Sequence, residues 1–130
     1  MNGGSISIIT TLHSISLLKN ICLETEENKY VIKIGKDLKE IEKKLNNILK
    51  NYNKDTKLKK TKEIIKRLIE TLLVVRKTSQ EVEKIGFRLS KIGNKSYLHD
   101  AKTAIHLSHA SSKSALESIK VFKSQLLKLK

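Results

Sequence analysis

The sequence predicts an all-α fold, an antiparallel up-and-down four-helix bundle with two long C-terminal helices. Three observations favour this fold. The 130 residues include no proline and five glycines. Apolar residues recur at alternating steps of three and four, which places them on one face of a helix. The breaks between these stretches are short, so that successive helices should run antiparallel. The length is typical of a single domain with one core, and the domain is expected to span residues 1–130.

The longest helical pattern covers residues 56–92 and organises the rest of the chain. Asp55 and Thr56 offer an N-cap, and Gly93 with Asn94 offers a C-terminal stop. A helix with one apolar stripe must be covered by partner helices. The stripe consists of Ile65, Leu68, Leu72, Val75, Ser79, Val82, Ile85, Gly86 and Leu89.

The other three helices are predicted at residues 5–23, 27–52 and 96–129, with Ser5 and Ser96 as N-caps. The second has an uninterrupted heptad seam: Val31, Ile34, Leu38, Ile41, Leu45, Ile48 and Tyr52. The residues expected to end it are Asn51, Asn53 and Asp55. An alternative interpretation fuses the first two helices and gives a three-helix bundle.

The predicted seam between the third and fourth helices has a polar waist. Folding these helices back on each other about Asn94 places Ser79 opposite Ser108. Small hydroxyl residues can bond to carbonyls one turn back, so they need not be unsatisfied. The waist is interpreted either as a close approach of helices or as a place where the bundle opens.

Positive charge is concentrated at one predicted end of the bundle. The formal net charge is +14, from 27 basic and 13 acidic residues. Residues 50–67 hold eight basic and two acidic side chains, and residues 118–130 hold four lysines and no acid. Because an antiparallel bundle brings these two segments together, this end is predicted to bind an anionic partner. The predicted contact residues are Lys50, Lys54, Lys57, Lys59, Lys60, Lys62, Lys66, Arg67, Lys120, Lys123, Lys128 and Lys130.

The residue types at this end favour an acidic membrane surface or an acidic protein over nucleic acid. The chain has three arginines and no tryptophan, whereas nucleic-acid sites usually combine arginine with stacking aromatics. Lysine-rich surfaces suit diffuse attraction to acidic lipid. The bundle also returns an apolar N-terminal segment to this end, and its candidate membrane-inserting residues are Ile6, Ile8, Ile9 and Leu12.

No stretch is expected to reach transmembrane length, because residues 5–23 contain many polar side chains. They also lack the basic start and the cleavage site of a signal peptide. The predicted location is the cytoplasm, and the alternative is a peripheral association with a membrane.

The sequence offers no catalytic or metal-binding pattern. His99 and His106 share a face with each other but lie opposite the apolar seam, so they are expected to be solvated. Cys22, the single cysteine, is expected in the core. No nucleophile, phosphate-loop or metal motif is present. The prediction is a protein that is not an enzyme and has no cofactor, no metal and no catalytic residues.

The overall layout resembles the N-terminal four-helix domains of membrane-permeabilising cell-death proteins, of the mixed-lineage kinase-like, RPW8 and HeLo types. The features involved are the opening segment Ser7–His13, the later Cys22 and the lysine-rich later helices. The resemblance implies lipid binding through basic helix surfaces, oligomerisation and membrane damage. Alternative interpretations are a docking subunit of a coat, ribosomal or organellar assembly associated with nucleic acid, and a bundle like bacteriocin-immunity proteins.

Overall fold

The computed structural model describes residues 3–25, 28–92 and 95–129 and is all-α. Within these residues the helices are α1 (Gly3–Leu23), α2 (Lys29–Thr56), α3 (Lys62–Ile92) and α4 (Leu98–Lys128), and a 3₁₀ turn at Lys95–Tyr97 precedes α4. The four-helix prediction is confirmed over the three-helix alternative, because a turn at Glu24 and Thr25 ends α1 before α2 begins. The predicted stop at Gly93 and Asn94 lies outside the described residues, as does the predicted start of the second helix at Glu27.

The start of α2 is fixed by Asn28. Its side-chain oxygen accepts hydrogen bonds from the backbone N–H groups of Tyr30 and Val31, at 2.9 and 3.3 Å. This N-cap satisfies two donors that have no partner inside the helix.

The connection between α2 and α3 differs from the prediction. The polar residues after Lys50 do not break α2, which continues to Thr56. Asp55 is buried there and pairs with Arg67 of α3. The third helix therefore begins at Lys62 rather than at Thr56, and Thr61 accepts a hydrogen bond from the N–H of Ile64 at 3.3 Å.

The core follows the predicted stripes closely. Every member of the predicted α3 stripe is buried. In α2 the buried members are Val31, Ile34, Leu38, Leu45 and Tyr52, while Ile41 and Ile48 are half-buried. Helix α4 buries apolar and small residues along its middle, from Ala101 to Ile119, whereas Leu98 and Leu129 near its two ends are exposed. Burial of these apolar side chains is the main source of the fold's stability.

Helix α1 is a core helix with an unusual number of buried hydroxyls. Its 21 residues and a mean hydropathy of 1.4 are enough for a membrane span by length and composition alone, so the prediction that no stretch reaches that length is wrong. Core helices of soluble proteins meet the same criterion. In this structure the apolar side chains Ile8, Ile15 and Leu18 are fully buried against the other helices.

Five buried hydroxyl residues from three helices lie at mid-bundle as a hydrogen-bonded trio and a separate hydrogen-bonded pair, which together we call the hydroxyl cluster. Its members are Thr11 and Ser14 of α1, Ser79 of α3, and Ser108 and Ser111 of α4. Every hydroxyl in it has a hydrogen-bond partner within 3.2 Å. This bonding fits the interpretation of close helix approach.

The pairing within the hydroxyl cluster differs from the predicted one. The hydroxyl of Ser79 lies 2.8 Å from that of Thr11 and 3.2 Å from that of Ser111, rather than against Ser108. Ser108 instead lies 2.6 Å from the hydroxyl of Ser14. Helix α1 packs against both long helices at this level, and its hydroxyls provide partners that a two-helix alignment could not include.

A candidate ligand site at the basic end of the bundle

Four helix termini meet at one end of the bundle: the starts of α1 and α3 and the ends of α2 and α4. The side chain of Ser5 donates to the side-chain oxygen of Asn53 at 2.7 Å and so ties α1 to α2. Gly3 lies against Ser118 of α4. We call this region the basic end. It comprises the first turn of α1 together with residues 50–67 and 118–129.

The predicted anion-binding residues all lie in this region, except Lys130, which lies outside the described residues. Most are exposed: Lys50, Lys54, Lys57, Lys59, Lys62, Lys66, Arg67, Lys120, Lys123 and Lys128. Lys60 is half-buried, and its ammonium donates to the carbonyls of Thr56 and Leu58 at 2.6 and 3.1 Å. It therefore closes the C-terminus of α2.

Two other predicted cations also have partners among the described residues. Arg67 pairs with Asp55, and Lys120 lies 3.4 Å from Glu117 on the exposed face of α4. The Asp55–Arg67 pair lines an open cleft of about 370 Å³ between α2 and α3. Arg67 and Lys60 thus have structural roles that the sequence did not predict.

The candidate membrane-inserting residues are not equivalent in the structure. Ile6 is 48 % exposed, whereas Ile8 is fully buried in the core. Ile9 and Leu12 are half-buried. An exposed apolar surface at the start of α1 is therefore limited to Ile6 among these four.

A small cavity of about 210 Å³ opens at the basic end, where α1 meets α2 and α4. Its lining residues are Gly3, Gly4, Tyr52, Ser118, Val121 and Phe122. We call it the end cavity. Its lining combines two aromatic residues, Tyr52 and Phe122, with Ser118, Val121 and the first turn of α1.

Gly4 is required by the close approach of Tyr52. A Cβ atom at Gly4 would lie 2.1 Å from the tyrosine hydroxyl oxygen and 3.0 Å from a methyl carbon of Leu72. Only a residue without a side chain leaves room for the ring in this position. The glycine therefore places the tyrosine hydroxyl directly against the first turn of α1.

The hydroxyl of Tyr52 is buried and has no hydrogen-bond partner among the described residues. The side chain is 1 % exposed, and burial raises the pKa of Tyr52 to about 12. The group is therefore a neutral O–H donor at physiological pH. A buried polar group without a partner is costly, and such groups are rare in folded proteins.

The first turn of α1 adds a second feature that suits an acceptor. The first N–H groups of any helix have no partner inside the helix, and the helix dipole makes this end partially positive. No acidic residue lies in the first turn of α1 to compensate this charge. Helix starts of this kind commonly bind carboxylates and phosphates.

Other reactive side chains lie away from the end cavity. His109 is 3.3 Å from a carboxylate oxygen of Glu83, and His99 and His106 are exposed, as predicted. Cys22 is buried, as predicted, and burial raises its pKa to about 11. Among the described residues, no group of three or more His, Cys, Asp or Glu side chains is arranged to hold a metal ion.

Sequence reasoning missed the centre of this site. It placed the start of the first helix at Ser5, after the two glycines, and treated Tyr52 as one more seam residue. A paired glycine directly before an apolar helix, together with a tyrosine at the end of a neighbouring seam, is a signal that could have indicated a close approach.

No protein-family model and no curated protein matches the sequence. The fold, however, is similar to a solved structure, the crystal structure of formiminotetrahydrofolate cyclodeaminase from Thermotoga maritima. The TM-score is 0.81 at 16% sequence identity, and the similarity covers 98% of this chain and 77% of that one. At this identity the comparison establishes a shared fold.

The structural similarity corrects two predictions. The predicted function, a docking module for an acidic membrane with a cell-death role as one option, is contradicted because the fold is that of a folate enzyme. The prediction that the protein is not an enzyme is contradicted by the same finding. The predicted partners, location and layout-level resemblance stay predictions. The chain thus shares its fold with the crystal structure of formiminotetrahydrofolate cyclodeaminase.

Proposed function

We propose that the protein is enzyme-related and binds a reduced folate at the basic end. The observation that carries this proposal is the similarity in fold, over 98% of the chain, to an enzyme whose name specifies formiminotetrahydrofolate. The end cavity supports it, because its chemistry suits one end of such a molecule.

A reduced folate has a ring system with a carbonyl group and a tail that carries carboxylates. The hydroxyl of Tyr52 and the N–H groups at the start of α1 are donors, and they suit a carboxylate or carbonyl oxygen. Phe122 and Val121 provide an apolar wall beside them. The site therefore combines oriented donors with an apolar surface, as small-molecule sites commonly do.

The size of the end cavity limits what it can hold. Its volume of about 210 Å³ is below the range typical of sites that enclose a whole drug-sized ligand. In the proposal, one end of the folate enters the cavity and the rest lies along the basic end. The exposed lysines there provide a positive field for an anionic ligand.

Binding can be tested with 5-formyltetrahydrofolate, a stable reduced folate, by titration calorimetry. Tyr52→Phe should weaken binding by roughly tenfold, which corresponds to the loss of one hydrogen bond to a charged group. Tyr30→Phe is the matched control, because Tyr30 lies at the other end of the bundle and is exposed. Equal affinities for the two variants would exclude the end cavity as the site.

Activity can be tested separately by measuring the release of ammonia from formiminotetrahydrofolate. Release that requires the protein and is reduced in Tyr52→Phe would make the chain an active enzyme. Binding without ammonia release would leave a folate-binding protein with the fold of an enzyme. The absence of both would refute the proposal.

A further inference from the structure

An apolar cleft lies at the opposite end of the bundle, between the end of α1 and the first half of α2. Its volume is about 350 Å³. The residues that line it are Lys19, Cys22, Leu23, Ile32, Gly35, Lys36 and Lys39. We call it the α1–α2 cleft. It shares no residue with the end cavity.

The floor and sides of this cleft are apolar and partly open to solvent. Leu23 is 58 % exposed and Ile32 is 43 % exposed, and both line this concave surface. Exposed apolar side chains grouped in a groove are a common feature of ligand-binding surfaces. Gly35 keeps the cleft open from the α2 side. A Cβ atom there would make an ordinary contact with Cys22 at 3.4 Å, and both residues line the cleft.

The rim of the α1–α2 cleft is positive. Lys19 is paired with Glu42 of α2 at 2.9 Å. Lys36 and Lys39 are exposed, and no acidic side chain is among the residues that line the cleft. An occupant of this cleft should therefore combine an apolar body with a negative group.

A second copy of the chain does not fit these charges. A symmetric dimer would place the same face of each copy against the other, so that the lysines of the two rims would be brought together. Like charges at such a contact oppose association. The cleft also has the concave shape and the volume of a small-molecule site.

We infer that the α1–α2 cleft binds a single molecule of an unbranched carboxylic acid of medium chain length. Its alkyl chain lies against Cys22, Leu23 and Ile32, and its carboxylate lies at Lys36 and Lys39. The inference does not depend on folate binding, because the two sites are at opposite ends of the molecule.

Cys22 provides a direct readout, since it lines the cleft and is the single cysteine in the chain. The rate of its alkylation by iodoacetamide can be measured at pH 9, where the raised pKa of about 11 leaves the reaction slow. Decanoate below its critical micelle concentration should slow this reaction in a saturable manner. Decanol, which has the same chain and no charge, should bind roughly tenfold more weakly, corresponding to the loss of the carboxylate's attraction to the lysines.

Two variants locate the ligand. Replacing both Lys36→Glu and Lys39→Glu should weaken decanoate binding by roughly tenfold or more. The matched control is Lys43→Glu with Lys44→Glu, because these lysines are on the same helix, are exposed and do not line the cleft. Gly35→Leu should fill the cleft and abolish protection, with circular dichroism to verify that the variant is folded.

The possible results are distinguishable. Protection that is lost in the Lys36 and Lys39 variant and kept in the Lys43 and Lys44 variant supports the inference. It is overturned if decanoate gives no protection, if both lysine pairs have the same effect, or if decanol protects equally well. If protection of Cys22 instead increases with protein concentration and sedimentation shows a dimer, the cleft binds a second copy of the chain. That result would also overturn the inference.

Discussion

Buried hydroxyl groups in two regions of this molecule differ in whether they have hydrogen-bond partners. In the hydroxyl cluster at mid-bundle, the hydroxyl of Thr11 lies 2.8 Å from that of Ser79 and 2.6 Å from that of Ser111. At the basic end, the hydroxyl of Tyr52 is equally buried but has no partner in the described part of the chain. Both regions are formed by core helices of the same bundle.

This difference separates a structural polar group from a candidate binding group. Satisfied buried hydroxyls stabilise a specific helix arrangement, and their removal leaves partners unpaired. An unsatisfied hydroxyl lowers stability in the unbound protein and can gain a partner only from a ligand or water. The comparison therefore separates the hydroxyl cluster, which contributes to the fold, from Tyr52, on which the proposed ligand site depends, and the following variants test that distinction.

The largest effect on stability is expected from Gly4→Ala at the basic end. The added methyl group would overlap the ring of Tyr52, and overpacking of this kind typically costs about 1–3 kcal/mol in the free energy of unfolding. Urea denaturation followed by circular dichroism would measure it.

Gly35→Ala is the control for that variant. The methyl group makes an ordinary contact there, and replacing glycine by alanine inside a helix is favourable by about 1 kcal/mol. Its unfolding free energy should be unchanged or raised. A loss at Gly35 as large as that at Gly4 would show that the close approach of Tyr52 is not the cause.

Thr11→Val should have the next largest effect. It keeps the shape of the side chain but removes the hydroxyl that contacts both Ser79 and Ser111 and donates to the carbonyl of Ser7 at 3.0 Å. The expected cost is about 0.5–1.5 kcal/mol, because Ser79 and Ser111 each lose one hydrogen bond but keep another, to the carbonyls of Val75 and Ser7. Denaturant unfolding would check it, and a cost close to zero would mean that the hydroxyl cluster is not a source of stability.

The sequence predicted the helices well because their signals are local. The α3 stripe from Ile65 to Leu89 is set by spacing alone, and every member is buried. Helix boundaries were less predictable. Aspartate is a residue type that disfavours helix interiors, yet Asp55 lies within α2 and pairs with Arg67 of α3. Such a contact between helices cannot be read from local preference.

The candidate site was less predictable than the fold. The concentration of lysine at one end followed from charge counting and antiparallel connection. The partners of Lys60 and Arg67, however, depend on where α2 ends, which the sequence placed too early. The end cavity depends on the approach of Tyr52 to Gly4, a distance between residues 48 positions apart that no spacing rule provides.

Tyr52→Phe should have a small effect on stability, opposite in direction to that of Thr11→Val. It removes a buried hydroxyl that has no partner, so the unfolding free energy at neutral pH should be unchanged or raised by up to about 1 kcal/mol. Denaturant unfolding of the two variants side by side would measure the contrast. A loss of stability comparable with that of Thr11→Val would show that the tyrosine hydroxyl is hydrogen-bonded in solution. It would then not differ from the hydroxyls of the hydroxyl cluster.

The remaining prediction concerns alkaline pH and the same tyrosine. Burial raises the pKa of Tyr52 from 10.0 to about 12, so the folded protein retains a proton that the unfolded chain loses in this range. Because the unfolded state then binds fewer protons, the contribution of this group to stability is complete below pH 10 and is lost as the pH rises from 10 to 12. Lysines also titrate in that range, but their effect should be similar in wild type and in Tyr52→Phe. The difference in unfolding free energy between these two proteins should therefore shift in favour of Tyr52→Phe between pH 9 and pH 11. A difference that stays constant across this range would mean that the ring is not held in the buried, unpartnered position that the proposed ligand site requires.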